Sequence, residues 1–310
     1  MSGVFHSIVE LAGIPGPLVV AAGVFDGVHR GHQELLRRAM DDARAVGGSA
    51  VALTFDPHPI RVLRPEIAPR LLTATGHKIR LLRGFGVAHV LVLPFTREFA
   101  AQEPDVFIRS LHAASRPLHR ICVGHQWSFG KDRRGNVDML RQLGDELGFS
   151  VASIPPVMVD GEAVSSTRIR RAVENGDLET ARACLGRDYT IRGTVQAGAQ
   201  LGRTIGFPTA NLAAHSEQFP PNGVYAVFAE IEGTEHPAVA NIGVRPTVDS
   251  EGKRLLEVHV LGFHQDVYEK EIEIRFKSFL RPEQKFAGLP ELQSQIARDV
   301  EAAAAILSDP

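Results

Sequence analysis

Cysteine is scarce: Cys122 and Cys184 are the only two in 310 residues. They lie far apart in apolar surroundings, which excludes a disulfide framework and reads as reduced core thiols in a cytoplasmic protein. No apolar run approaches the roughly 18 residues of a membrane span. The N-terminal segment lacks the charged-then-apolar plan of a signal peptide. Neither sign of charge prevails: 34 Lys and Arg face 36 Asp and Glu, a net of −2. Nothing therefore demands a nucleic-acid or membrane partner. Internal repeats and low-complexity tracts are missing too; the nearest is the alanine run 302–305, which suits a helix. What remains is a globular composition, 44% hydrophobic and 23% charged, in a chain long enough for two domains.

Residues 1 to about 186 alternate short apolar runs with amphipathic segments. The expected strands are 18–22, 50–55, 89–93, 120–123 and 150–154, with helices over 33–46, 78–84, 104–112 and 137–147. That alternation predicts a parallel sheet covered by helices on both faces, with ligands at the carboxyl ends of the strands. The stretch Gly23-Val24-Phe25-Asp26-Gly27-Val28-His29-Arg30-Gly31-His32 lies at one such end. It reads as strand, tight glycine turn and helix start. His29 and His32, three apart, share one face beside unpaired backbone N–H groups. Such a helix start is a phosphate site, and two neutral imidazoles can donate to phosphate oxygens. Two His with no Cys or His cluster nearby do not complete a zinc shell.

The spacing of these ten residues resembles the G-x-F-D-G-x-H-x-G-H signature of the nucleotidyltransferase superfamily in its flavin adenylyltransferase form. The resemblance implies nucleotide contacts at Gly23, Phe25, Asp26, Gly27 and Gly31, with His29 and His32 catalytic. Thr54-Phe55-Asp56-Pro57-His58-Pro59 closes the next strand; by itself it is a rigid loop with an incidental His, but it is similar to the family's F-x-P-H-P, which implies a nucleotide contact at His58. After strand 120–123 comes Gly124-His125-Gln126-Trp127-Ser128-Phe129-Gly130-Lys131. Aromatics at a strand end can stack on a flat ring, and the basic residues Lys131, Arg133 and Arg134 suit phosphates or simply water. The family usually has an acid or amide and a Phe where Gln126 and Trp127 stand, so flavin contacts at Gln126, Trp127 and Phe129 are expected with a local difference. Val164-Ser165-Ser166-Thr167-Arg168-Ile169-Arg170 opens another helix. One hydroxyl is an ordinary N-cap; three followed by two Arg suit a polyphosphate, which the resemblance places on Ser165, Ser166, Thr167 and Arg168. The run looks like the family's I-S-S-T-x-I-R element, which holds the β- and γ-phosphates.

From residue 190 the pattern changes to strands near 190–195, 223–231, 238–242, 255–261 and 271–279, punctuated by Gly and Pro, and then one helix. Short strands with turn residues predict a small antiparallel barrel. Pro290 suits the first turn of that helix, and Leu292, Ile296, Val300 and Ala303 mark its apolar stripe. The segment from Gly198 to Asn211 could be a flexible hairpin. It is similar, however, to the G-x-x-x-G-R-x-x-G-F-P-T-A-N stretch of flavokinases, and further matches follow in order: 222–225, 240–243 with 245–247, Leu256-Glu257-Val258-His259, and Leu280-Arg281-Pro282-Glu283. This resemblance implies ATP contacts at Gly198, Gly202, Arg203, Gly206 and Pro208, magnesium ligands at Thr209 and Asn211, a general base at Glu257 and a flavin contact at Arg281. Leu261-Gly262-Phe263 and Val267-Tyr268-Glu269 depart from the family pattern at turns.

The expectation is thus an α/β, Rossmann-like nucleotidyltransferase domain over 1–186, followed by a β-barrel flavokinase domain with a C-terminal helix over 187–310. The resemblance implies two activities: riboflavin to FMN, and FMN to FAD, each with ATP and Mg²⁺. The expected partners are small molecules only, and the setting cytoplasmic. Two rivals are an adenylyltransferase for another substrate and a flavin-binding regulator without turnover.

Overall fold

The computed structural model describes residues 3–115, 117–197, 206–216, 218–244, 254–263 and 265–308. By internal contacts the chain divides into two units: Met1–Pro69 with Ala74–Ser166, and Arg70–Thr73 with Thr167–Pro310.

The first unit runs β1 (Gly3–Phe5), β2 (Leu18–Ala22), α1 (Arg30–Ala45), β3 (Ser49–Asp56), α2 (Pro59–Leu63), α3 (Thr75–Gly84), β4 (His89–Pro94), α4 (Arg97–Ala100), α5 (Pro104–Ala114), β5 (Leu118–Gly124), α6 (Val137–Leu147), β6 (Ser150–Ile154) and a small hairpin, β7 (Met158–Val159) and β8 (Glu162–Ala163). Among the described residues, β1 to β6 form one sheet in the order β1-β4-β3-β2-β5-β6, and every pairing is parallel. β2 pairs with β3 on one side and β5 on the other, so the strand order reverses there. Crevices that bind ligands open at such reversals, outside the carboxyl ends of the strands. The loops after β2 and β5 carry the 23–32 and 124–131 stretches.

Both faces of the sheet are covered, which explains why its strands read as continuous apolar runs. Alternate residues Leu18, Val20, Leu53, Leu91 and Ile121 join one core with Ile108 and Leu111 of α5 and Leu140 and Leu143 of α6. Val19, Ala21, Ala52, Val90 and Cys122 join the other with Leu35, Leu36, Ala39 and Ala43 of α1. β1 extends the expected five strands; at three residues it carries no apolar run of its own.

The second unit contains most of α7 (Ser166–Glu174), then α8 (Leu178–Leu185), β9 (Thr190–Gln196), β10 (Ala210–Ala214), β11 (Gly223–Ile231), β12 (Thr234–Val244), β13 (Arg254–Val260), β14 (Glu271–Arg281) and α9 (Leu289–Leu307). β9 to β14 close into an antiparallel barrel in the order β10-β13-β12-β11-β14-β9. The sequence pattern revealed five of these strands; β10, Ala-Asn-Leu-Ala-Ala, has one large apolar residue. α9 packs Ala303 and Leu307 on Val224, Ala226 and Val239 of the barrel. Its buried positions are Asp299, Ala303 and Leu307, whereas Leu292, Ile296 and Val300 of the expected stripe are half-buried. Asp299 is tolerated there because Arg281 meets it: Nε lies 2.9 Å from Oδ1 and an outer guanidinium nitrogen 2.7 Å from Oδ2.

Candidate functional site

In the first unit, the turn after β2 is built from conformations that side chains seldom adopt. Phe25 and Val28 have φ of +56° and +41°. For a β-branched residue this is a true outlier, and such strain persists only where the surroundings over-determine it. Here both side chains are buried, Phe25 fully. The Val24 carbonyl is also held, accepting from Thr54 Oγ1 at 2.9 Å and Lys78 Nζ at 3.3 Å. Asp26 is buried, and its carbonyl accepts from Ser166 Oγ at 2.9 Å.

His29 is the N-cap of α1, and its Nδ1 accepts the backbone N–H of His32 at 3.3 Å. In a neutral ring this acceptor role puts the proton on Nε2. The two imidazoles stack, with centroids 3.6 Å apart and planes 16° from parallel. Phe25 meets the His32 ring edge-on at 5.2 Å. Burial above all, then His29 and Lys78, hold the His32 pKa well below 6.5, so this imidazole is neutral. Its Nδ1 is enclosed without a hydrogen-bond partner. Gly31 leaves room for the His29 ring: a Cβ there would stand 3.2 Å from two of its atoms and press on it.

The structure thus brings Gly23, Phe25, Asp26, Gly27, His29, Gly31, His32 and Ser166 into one neighbourhood. Ser165 precedes α7; Thr167 and Arg168 lie in its first turn. His58 caps α2, its Nδ1 accepting from Ile60 N–H at 3.3 Å, directly after the cis Asp56–Pro57 bond. Beside β5, a cleft of about 600 Å³ is lined by Gln126, Trp127, Arg133, Asn136, Arg141 and Ser153, among others. Trp127 stacks on Phe129 at 4.4 Å; Phe129 is buried beneath it in the core. Two further groups belong to this region, Lys78 and Thr54, both buried. Lys78 stands in no motif, and Thr54 heads the Thr54–Pro59 stretch without a role of its own in the sequence reading.

In the second unit, strand register assembles the polar residues. Asn211 of β10 lies opposite Glu257 of β13, and Glu257 lies opposite Asn241 of β12. Directly opposed residues share a face, with Cβ atoms about 5 Å apart. Leu256 and Val258 point the other way, into the core. The result is an amide–carboxylate–amide row on the outer face of three strands. Asn211 Oδ1 is buried without a hydrogen-bond partner, and Thr209 lies two residues before it. An orphaned amide oxygen, a hydroxyl and a nearby carboxylate are hard donors of the type magnesium takes, so the residues present fit that ion. His259, two residues past Glu257, donates from Nδ1 to the Pro208 carbonyl at 2.8 Å and meets Phe207 edge-on. It thereby anchors the segment carrying Thr209. Gly206 is described; Gly198, Gly202 and Arg203, like Arg245-Pro246-Thr247, lie outside the described residues. The Arg281 guanidinium is engaged by Asp299.

Among the described residues, no three His, Cys, Asp or Glu side chains cluster to hold a metal ion, and no helix is long and apolar enough to cross a membrane. A doubly wound parallel sheet and a closed barrel, each with its own polar constellation, define a two-module α/β-plus-barrel protein. Residues 13–168 match the FAD synthetase family and residues 185–307 the riboflavin kinase family. A bifunctional riboflavin kinase/FMN adenylyltransferase of Pseudomonas fluorescens is 39% identical over 93% of this chain and 92% of its own. One from Listeria monocytogenes is 37% identical over 91% and 90%. A crystal structure of a Streptococcus pneumoniae protein described as a macrolide-efflux protein superposes with a TM-score of 0.80 at 31% identity, covering 94% of this chain and 96% of that one. The chain belongs to the bifunctional riboflavin kinase/FMN adenylyltransferase family, with the adenylyltransferase module first and the kinase module second.

Proposed function

We propose that FMN is joined to the AMP part of ATP at the 23–32 turn, and that riboflavin is phosphorylated by a second ATP at the Asn211–Glu257–Asn241 row. One observation carries this reading most: within each family-matched segment, residues far apart in sequence converge on one spot. His29, His32 and Ser166 meet at the turn, and Asn211, Asn241 and Glu257 in the row.

In the first module an FMN phosphate oxygen attacks the α-phosphorus of ATP. A bond forms there, and the bond to pyrophosphate breaks. The nucleophile is already an anion, so no base is needed, only alignment and stabilisation of charge. His29 and His32, at the start of α1, donate to the phosphate oxygens as neutral rings. Ser165, Ser166, Thr167 and Arg168 hold the departing pyrophosphate. Gln126 and Trp127, on the wall of the cleft beside β5, take the flavin. In the second module the riboflavin 5′-hydroxyl attacks the γ-phosphorus, the bond from that phosphorus to the bridging oxygen breaks as ADP leaves, and the hydroxyl proton passes to Glu257. Thr209 and Asn211 would hold Mg²⁺, which supplies neutralisation of the polyphosphate charge when bound. Reduced, buried Cys122 and Cys184 support a cytoplasmic setting.

The test is a double dissociation, read by separating riboflavin, FMN and FAD after incubation with MgATP. His32→Ala removes a donor from the first reaction alone and should slow it about a hundredfold, so FMN accumulates. Glu257→Gln should slow phosphorylation at least about a hundredfold yet still convert supplied FMN to FAD. If either change stops both reactions in a folded protein, one reaction per constellation is the wrong assignment.

A further inference from the structure

α3 carries a lysine where an apolar residue would pack at less cost. Lys78 is 5% exposed, on a helix whose next inward residue, Leu82, is fully buried. Taking an ammonium out of water is expensive unless its hydrogen bonds are replaced. Here Nζ donates to two backbone carbonyls, that of Val24 in the turn after β2 at 3.3 Å and that of Phe55 near the end of β3 at 3.2 Å. The carboxylates of Asp26 and Asp56 act on the same ammonium. α3 is fastened to the same strand end again, by Thr75 Oγ1 donating to Asp56 Oδ1 at 2.7 Å.

We propose that Lys78 is a positioning residue of the adenylyltransferase site, tying the turn that carries His29 and His32 to the end of β3. The inference rests on the reading of that turn as the nucleotide site. It accounts for how the turn is held. Phe25 and Val28 stand in the left-handed region on either side of Asp26 and Gly27. A strained turn relaxes unless it is pinned, and the Val24 carbonyl is the pinned point, bonded by both Lys78 and Thr54. Lys78 also faces His32 as a like charge, favouring the neutral ring that a phosphate donor with a fixed proton requires. The titratable groups that act on His32 are His29, the N-cap of its own helix, and Lys78 on α3; Asp26 and Asp56 act in turn on the Lys78 ammonium.

The experiment compares Lys78→Met, Lys78→Arg and Thr54→Val in the full-length protein, with thermal unfolding as the fold control. Adenylyl transfer is measured as kcat and KM for ATP, and the His32 ring is followed by NMR. A misplaced turn should lower kcat of Lys78→Met about tenfold to a hundredfold with little change in KM, and riboflavin phosphorylation should be unaltered. Lys78→Arg, which keeps the charge and donors, should recover part of the loss. The His32 signals should move in Lys78→Met. A lower Tm with unchanged kcat and unmoved His32 signals would make Lys78 a packing residue and overturn the proposal. Should neither lysine variant fold, Thr54→Val removes the other bond to the same carbonyl at nearly constant shape, and an unchanged kcat there overturns the proposal equally. His32→Ala separates the two levels. If it makes FAD at the normal rate, the reading of the turn has failed. If it is slow while folded Lys78→Met is normal, only the present inference has.

Discussion

A buried ammonium leaves a signature in how stability follows pH. Burial lowers the Lys78 pKa from 10.5 to about 8, against the pull of Asp26 and Asp56. Between those values the unfolded chain binds the proton and the folded one does not, so stability rises with pH across that window. Below about pH 8 both states are charged, and the folded state carries the full penalty. Measured by urea unfolding, the native protein should gain on the order of 3 kcal/mol over Lys78→Met between pH 8 and 10.5. A constant difference would mean the lysine is solvated. Gly31 offers a second test at this scale. Alanine near the start of α1 should raise helix stability by a few tenths of a kcal/mol to about 1 kcal/mol. Its Cβ would also press on the His29 ring, 3.2 Å away. Gly31→Ala should therefore be at least as stable as the native protein yet several-fold slower in FAD formation, seen by pairing calorimetry with product analysis.

Among the elements, α9 joins apolar packing on the barrel to a buried ion pair, Asp299 with Arg281. Asp299 is 5% exposed and accepts from Arg281 and from Gln295. Removing it by Asp299→Ala strands a largely buried guanidinium, and unfolding free energy should fall by about 3 kcal/mol. Arg281→Met should add a raised KM for riboflavin if this arginine also touches flavin; equal KM values in the two variants would leave it a structural partner. Elements of this kind mark where sequence stops being legible. β2, α6 and β11 have their expected bounds because runs of buried residues, or one helical stripe, write a local pattern. β1 and β10 escape because three residues, or a run of small ones, gain their place only from neighbouring strands. The site divides in the same way. His29, His32, Ser166, Asn211 and Glu257 stand in recognisable motifs. Asn241 and Arg281 stand in matched stretches too, but strand register places Asn241 beside Glu257, and the Asp299 partner of Arg281 lies eighteen residues away; Lys78, and Thr54 at the end of its strand, act through bonds to the Val24 carbonyl that their own vicinity does not foretell.

For the molecule as a whole, two polyphosphate reactions should share one requirement. Chelating divalent ions should halt both FMN and FAD formation, and added Mg²⁺ should restore both; survival of either step in excess chelator would remove the metal role given to Thr209 and Asn211 or to the first ATP. The modules differ in another respect that follows from their sheets. A ring of strands has no lip onto which a foreign chain can zip, since each strand of the barrel already has two partners. The parallel sheet ends on β1 and β6, whose outer N–H and C=O groups have no further strand beside them among the described residues. Under heat or crowding, strand-by-strand aggregation of this enzyme is therefore expected to start at the open edges of the module that makes FAD rather than in the flavokinase barrel.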